Sequence, residues 1–415
     1  MAEPLYRLAD TAVVGRLGTP ELGGLAIAVT ALGTAYTVFI FLAYGTTSAV
    51  SRLLGAGDER QAAHQAVQSL WLAVGIGVAL GLAGLVLAEP LVDLLGATGA
   101  VKVNALVYLR ISLIGLPGTL IVLAGTGYLR GLQDTVFPLR VAILTATLNL
   151  VIEVVWVFGL DHGIGASALS TVVAEWVAAG IYLRRITGAV REYDVTLRPD
   201  PEALRSLALV GRDLFIRTAA LRVSLTMATA VAARVGEVDL AAHQIAFEIW
   251  SFLALVLDAL AIAAQALIGR LLGAGEAATA RAAARRMIEM GVMLGVVAGS
   301  LIIALRTVLP ELFTNDAAVA SLTTFLLIWV GALQPVNAVV FVLDGVLIGA
   351  GDMRYLAWAM VGAAALFVPV LMLVPILDLG IGWVWAAIAV LMVARMVALS
   401  ARFAGDKWQV TGARS

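Results

Sequence analysis

Cysteine is absent from the 415 residues, which removes disulfides, thiolate chemistry and cysteine-ligated metals together. Histidine is scarce, three in all and widely separated, so no metal cluster is expected. Charge is thin: 13% of residues carry it, against about a quarter in an average soluble domain. Nor is it one-sided. Basic residues number 27 and acidic residues 28, for a net charge of -1, so there is no global field to attract a polyanion and a nucleic-acid partner is not expected. What is abundant is apolar: 61% of the chain, with a mean hydropathy of +0.99. A soluble enzyme and a disordered protein are both poor readings of that balance. A polytopic all-α membrane protein remains.

A membrane helix needs about 20 mostly apolar residues, because lipid cannot satisfy an unpaired backbone group. Such stretches lie near 25–49, 64–88, 104–129, 138–160 and 163–183, then near 208–233, 240–268, 287–308, 319–348, 355–377 and 382–403. Met1–Leu17 supplies a twelfth, but it is short and carries Glu3, Arg7, Asp10 and Arg16. At about 1.5 Å per residue it falls short of the hydrocarbon thickness. The longest polar interval, 184–213, holds Arg184, Arg185, Arg191, Arg198, Arg205 and Arg212. An excess of arginine marks a cytoplasmic connection. Counting alternately from it leaves only Arg16, Lys102, Arg234 and Arg306 in outer loops, and both termini are expected in the cytoplasm. The start is acidic and polar, without the pattern of a cleavable signal. The expected division is an N-terminal lobe over 1–183, a cytoplasmic linker over 184–207, a C-terminal lobe over 208–403 and a cytoplasmic tail over 404–415.

Self-comparison is the most informative step. Ser51–Gly57 reads SRLLGAG and Gly269–Gly275 reads GRLLGAG, a shift of 218. At that shift Thr11, Ala12 and Val13 meet Thr229, Ala230 and Val231; Arg16 meets Arg234, Pro117 meets Pro335, Gly131 meets Gly349 and Asp134 meets Asp352. Further on, Gly163-Ile164-Gly165 meets Gly380-Ile381-Gly382 at 217. The chain reads as two parallel copies of a six-helix unit, an arrangement that commonly encloses a cavity with alternating access. The first copy has nine residues ahead of Asp10, where the second has about twenty apolar-compatible ones ahead of Ala228. Its first helix is expected to lack its cytoplasmic half, through a misassigned start or a real truncation.

Breaks in the repeat are the candidate sites. Asp10 meets Ala228, Asn149 meets Phe367 and Glu153 meets Leu371. Asn149 and Glu153 are four apart and share a helix face. A carboxylate within a bilayer must be protonated, ion-bound or paired, and two close together titrate as a coupled pair. Such a pair can exchange H⁺ or Na⁺ once per cycle. The second copy has its own polar set, Gln244, Glu248, Asp258, Gln265, Gln334, Asn337 and Asp344. Gln334, Asn337, Phe341 and Asp344 follow helical steps. Cavity lining and plain inter-helix hydrogen bonding are both open for this set. Arg110 and Arg222 are candidate partners for the acids, and His243 reads as a helix-end hydrogen-bonder. No nucleophilic triad or HExxH motif is present, so a membrane enzyme is the weaker reading.

The segments LADTAVVGRLG (8–18), YLRGLQDT (128–135), LAAHQIAFEIWSFLALVLDALAIAAQALIG (240–269) and LDGVLIGAGD (343–352) resemble the multidrug and toxic compound extrusion family, in its DinF-like branch. The resemblance covers essentially the whole chain. It implies twelve helices in two lobes forming a V, plasma-membrane residence, a monomer, and export of small cationic amphipathic compounds against H⁺ or Na⁺, with no other cofactor. It places the coupling ion at Asp10, Asn149, Glu153 and Thr171. Glu153 stands where the family often has aspartate, and its extra methylene disturbs Na⁺ geometry more than proton binding. A lipid or lipid-linked saccharide flippase of the same superfamily is the alternative, but it calls for a basic cavity.

Overall fold

The structure is a computed structural model that describes residues 10–160 and 163–413, without the side chains of 34–38. It is almost entirely helical. Residues 10–15 form a helical stretch, followed by α1 (Thr19–Phe39), α2 (Phe41–Gly55), α3 (Glu59–Leu94), α4 (Gly99–Gly131) and α5 (Val136–Val154). A π turn over Val155–Gly159 leads to α6 (Ile164–Glu192) and α7 (Pro201–Val235). The remaining helices are α8 (Glu237–Gly273), α9 (Ala277–Leu305), α10 (Ala317–Gly349), α11 (Met353–Ile376) and α12 (Ile381–Ala404). Ten of these, from α3 onward, are long and apolar enough to cross a membrane. The stretch at 25–49 is not one rod but α1 and α2, broken at Ile40. Residues 1–9, on which the expected shortening of the first helix falls, lie outside the described residues.

The repeat is visible in the helix bounds themselves. α3 and α9 begin at 59 and 277, α4 and α10 run 99–131 and 317–349, and α6 and α12 begin at 164 and 381, the same shifts as the sequence motifs. Acidic loop residues explain several starts. Asp58 accepts from the Gln61 amide at 2.9 Å, Asp134 from Phe137 at 3.0 Å, and Asp316 from Ala318 at 2.8 Å, each satisfying an orphan N–H of a first turn. Both GAG motifs end their helices on a left-handed glycine, Gly57 at φ 75° and Gly275 at φ 83°. These are helix caps that only glycine adopts cheaply; they are not phosphate cradles.

The chain divides into two units, 1–50 with 58–211 and 51–57 with 212–415. In the first, α4 is the hub and packs on α1, α3 and α6. Leu25 and Ala28 of α1 meet Ala105, Leu109 and Leu116 of α4 and Ala168 of α6 in one apolar core. The interval expected as a linker is mostly helix, and only 193–200 lies outside α6 and α7. Fully buried Gln68 clamps that connection: its amide donates to the Arg198 carbonyl at 3.0 Å and accepts from the Asp200 N–H at 2.9 Å.

In the second unit α10 is the corresponding hub, against α8, α9 and α12. α9 approaches α10 through Gly291, Gly295 and Gly299, the small-residue contact usual in membranes. The two RLLGAG motifs pack on one another here. A Cβ on Gly55 would overlap the Arg270 carbonyl oxygen, and one on Gly273 the Arg52 carbonyl oxygen. The segment 405–413 is strapped over this contact. Buried Arg52 donates to the carbonyls of Ala350 at 2.7 Å, Val410 at 2.5 Å and Gly412 at 3.1 Å. Trp408, 1% exposed, stacks on Phe403 at 5.3 Å between ring centroids. Arg281 lies over both rings and pairs with Asp406 at 2.7 Å.

Candidate functional site

Four elements of the first unit converge on a buried polar cluster. Asp10, 5% exposed, accepts from Ser167 Oγ at 2.6 Å and from the Tyr108 hydroxyl at 3.3 Å. Glu153, fully buried, lies beside Asp10 and Ser167. One turn back on α5, Asn149 donates through Nδ2 to Thr171 Oγ1 at 3.1 Å and to Ser170 Oγ at 3.4 Å. Ser170 and Thr171 in turn donate to the Ser167 carbonyl at 2.7 and 3.3 Å. All four residues expected for ion coupling therefore share one buried cluster.

The pocket has acceptors to spare. Both Glu153 carboxylate oxygens and Asn149 Oδ1 are buried without a hydrogen-bond partner among the described residues. The π turn follows Glu153 directly; such widened turns recur where a helix re-aims its side chains. Val13 and Val157, about one turn beyond Asp10 and Glu153, pack with Ala166, Leu17 and Trp156 in an apolar cluster. Two adjacent carboxylates screened from water cannot both stay charged at low cost.

Sequence reasoning missed Ser167, Ser170 and Tyr108. Ser167 was within reach, since it precedes Thr171 by one helical turn on the same face. Tyr108 gave no signal, a lone phenol in an apolar run. Also unmarked was Glu175, two turns beyond Ser167, whose carboxylate fills the space that a side chain at Gly115 of α4 would need.

The second unit's polar set divides. Gln244 and Glu248 are exposed and bond each other at 3.1 Å along α8. Asp258 is half-buried, while Gln265, Gln334 and Asn337 are buried within the unit. Gln334 turns back to the Val330 carbonyl at 3.1 Å, the plain hydrogen-bonding role. Asp344 is held by two arginines, Arg217 and, at 2.6 Å, Arg395. The expected partners Arg110 and Arg222 are exposed and form no ion pair among the described residues. Which arginines pair with the acids depends on which helix faces meet. His243 bonds Thr229 Oγ1 at 3.2 Å across α7 and α8 and stacks on Phe247.

Ten membrane-length helices in two repeated units, with buried acids inside each, define a polytopic membrane transporter. A family model described as MatE matches residues 1–155 and 215–373, and the chain belongs to the MATE transporter family. It is 31% identical over 411 residues to Protein DETOXIFICATION 44, chloroplastic, of Arabidopsis thaliana, covering 96% of this chain and 78% of that protein. It is also 31% identical over 414 residues to DNA damage-inducible protein F of Escherichia coli (strain K12), covering 96% and 87%. A crystal structure of MATE in the bent conformation superposes with a TM-score of 0.88 at 22% identity, over 97% of this chain and 90% of that one. That likeness shows the fold.

Proposed function

We propose that the chain is an efflux antiporter that exports small amphipathic compounds against inward H⁺ movement, with Asp10 and Glu153 as the proton-binding pair. The observation that carries this is the placement of the two carboxylates side by side, buried, with hydroxyl and amide groups around them and no cationic side chain among the described neighbours. Ser167 and Tyr108 orient Asp10. Asn149, fixed by Thr171, holds its free Oδ1 toward the same pocket, so the site offers oxygen ligands to Na⁺ as well. Glu153 in place of aspartate favours H⁺. Proton uptake neutralises the pair and removes its attraction for a positively charged compound, which is then released. Return of the proton to the other side restores that attraction. The gradient supplies the work, about 2.3 kcal/mol per elementary charge per 100 mV. The same reading places the protein in the plasma (inner) membrane, both termini cytoplasmic, acting as a monomer with no cofactor beyond the coupling ion.

The test is dye efflux from proteoliposomes. With an imposed pH gradient and no Na⁺, wild type exports a dye cation, whereas Asp10→Asn and Glu153→Gln fold but export no faster than empty liposomes. Full efflux by Asp10→Asn sinks the assignment, and efflux that requires Na⁺ replaces H⁺ by Na⁺.

A further inference from the structure

A third acid of the first unit lies further along the helix that lines the Asp10–Glu153 cluster. Ser167, Thr171 and Glu175 follow one another at four-residue steps on α6 and share a face. Ser167 bonds Asp10 and Thr171 bonds Asn149, so the line runs from the cluster to Glu175. At about 1.5 Å per residue, Glu175 stands about 12 Å along the axis from Ser167 and about 17 Å from the start of α6, near the middle of a hydrocarbon core about 30 Å thick. Its carboxylate is turned into the contact with α4, in the space beside Gly115. The other ionisable side chains at this level are few. Between 103 and 127 α4 adds Tyr108 and Arg110, α5 adds Arg140 and Glu153, and neither the π turn nor α3 between His64 and Glu89 adds any.

The second copy keeps nothing of this line. At the shift of 217 that aligns α6 with α12, Ser167, Thr171 and Glu175 meet Val384, Ile388 and Met392, all buried and apolar. Glu175 is therefore, like Asp10 and Glu153, an acid that the repeated packing does not require, at a depth where an ionisable group is costly to keep.

We propose that Glu175 is a second proton-holding station, which takes the proton from the Asp10–Glu153 cluster and passes it toward the cytoplasm. The O–H bond on Glu153 breaks as one forms on the Glu175 carboxylate, with Thr171 standing midway between the cluster and Glu175; Glu175 then loses the proton to the inner side, and both acids end as they began. The transport role rests on the H⁺-coupled reading above. Proton binding at Glu175 does not, and it is measured with no ion gradient.

The first arm is infrared difference spectroscopy of the full chain in phosphatidylcholine nanodiscs, stepped in pH without a gradient or a transported compound. Wild type gains a protonated-carboxyl band on acidification that is missing from Glu175→Gln and kept in Asp10→Asn. The second arm uses proteoliposomes. Glu175→Gln lowers dye efflux driven by a pH gradient at least tenfold, but exchanges dye for dye at equal pH within twofold of wild type, because exchange needs no proton delivered inward. Glu175→Asp, which restores the acid, recovers at least a third of the driven rate. A Glu175 that stays ionised at every pH where the protein is folded overturns the proposal, since it is then a paired structural charge. So does an equal loss of driven efflux and exchange in Glu175→Gln, the mark of a damaged fold. Wild type that shows the Glu175 band yet no pH-driven efflux sinks the antiport reading alone and leaves the proton site standing.

Discussion

Arg52→Ala is expected to unfasten the segment 405–413 without unfolding the unit beneath it. The Arg52 guanidinium, 2% exposed, is the shared donor for the carbonyls of Ala350, Val410 and Gly412. A hydrogen bond to a charged group contributes about 1.5–3 kcal/mol. Val410 is 46% exposed, so its carbonyl is resolvated once released and much of its share is recovered. The Ala350 carbonyl lies outside the segment, so the Gly412 bond, at the low end about 1.5 kcal/mol, is what the segment loses. At about 1.4 kcal/mol per decade, that is roughly one decade in the opening equilibrium of the strap. Hydrogen exchange reads this locally. The Gly412 N–H, bonded to the Leu272 carbonyl at 3.0 Å, should exchange on the order of 10-fold faster. The amides of α10 should be unchanged. Arg52→Lys, which keeps the charge but not the planar fork, should fall between. Unchanged protection of Gly412 in Arg52→Ala would refute the reasoning, since Trp408 and the Arg281–Asp406 pair would then suffice to hold the segment.

Other outcomes follow from the same geometry. Gln68→Leu leaves the Arg198 carbonyl and the Asp200 N–H without their buried partner and should cost about 2–4 kcal/mol, measured as a drop in the thermal midpoint in detergent with protease cleavage appearing between 193 and 200. Gly273→Val forces a side chain onto the Arg52 carbonyl and should destabilise more than Gly75→Ala, where a Cβ meets nothing within 4 Å; equal midpoints would contradict the close approach. Ser167→Ala should impair proton-driven efflux more than Tyr108→Phe, because its bond to Asp10 is 2.6 Å against 3.3 Å; the ratio of initial efflux rates decides. Trp408→Ala should cost about 3–5 kcal/mol as a buried aromatic deletion, and should show less than its full effect in an Arg52→Ala background, since the two hold one strap.

Much of the candidate site was legible because it rests on short-range rules. Asn149 and Glu153 are one helical turn apart, and any buried carboxylate in an apolar run must find a role. Repeat symmetry then pointed to Asp10 as the acid without a counterpart. What was illegible depended on which helix faces meet. Ser167, Ser170 and Tyr108 come from α6 and α4, and no local pattern ties them to a residue near the N-terminus. In the second unit Asp344 was legible as a polar residue on a helix face, but its partners Arg217 and Arg395, 127 and 51 residues away, were not.

The two RLLGAG motifs show the division most plainly. Sequence alone determined that they are copies and that the apolar stretches around them recur at a shift of 218, because hydrophobic length is a local property. Only the tertiary structure decided their different fates. Arg52 is buried under the strap and holds three carbonyls, while its counterpart Arg270 stays exposed. The strap comes from residues 405–413, and no local rule says on which of two identical surfaces a distant segment will settle.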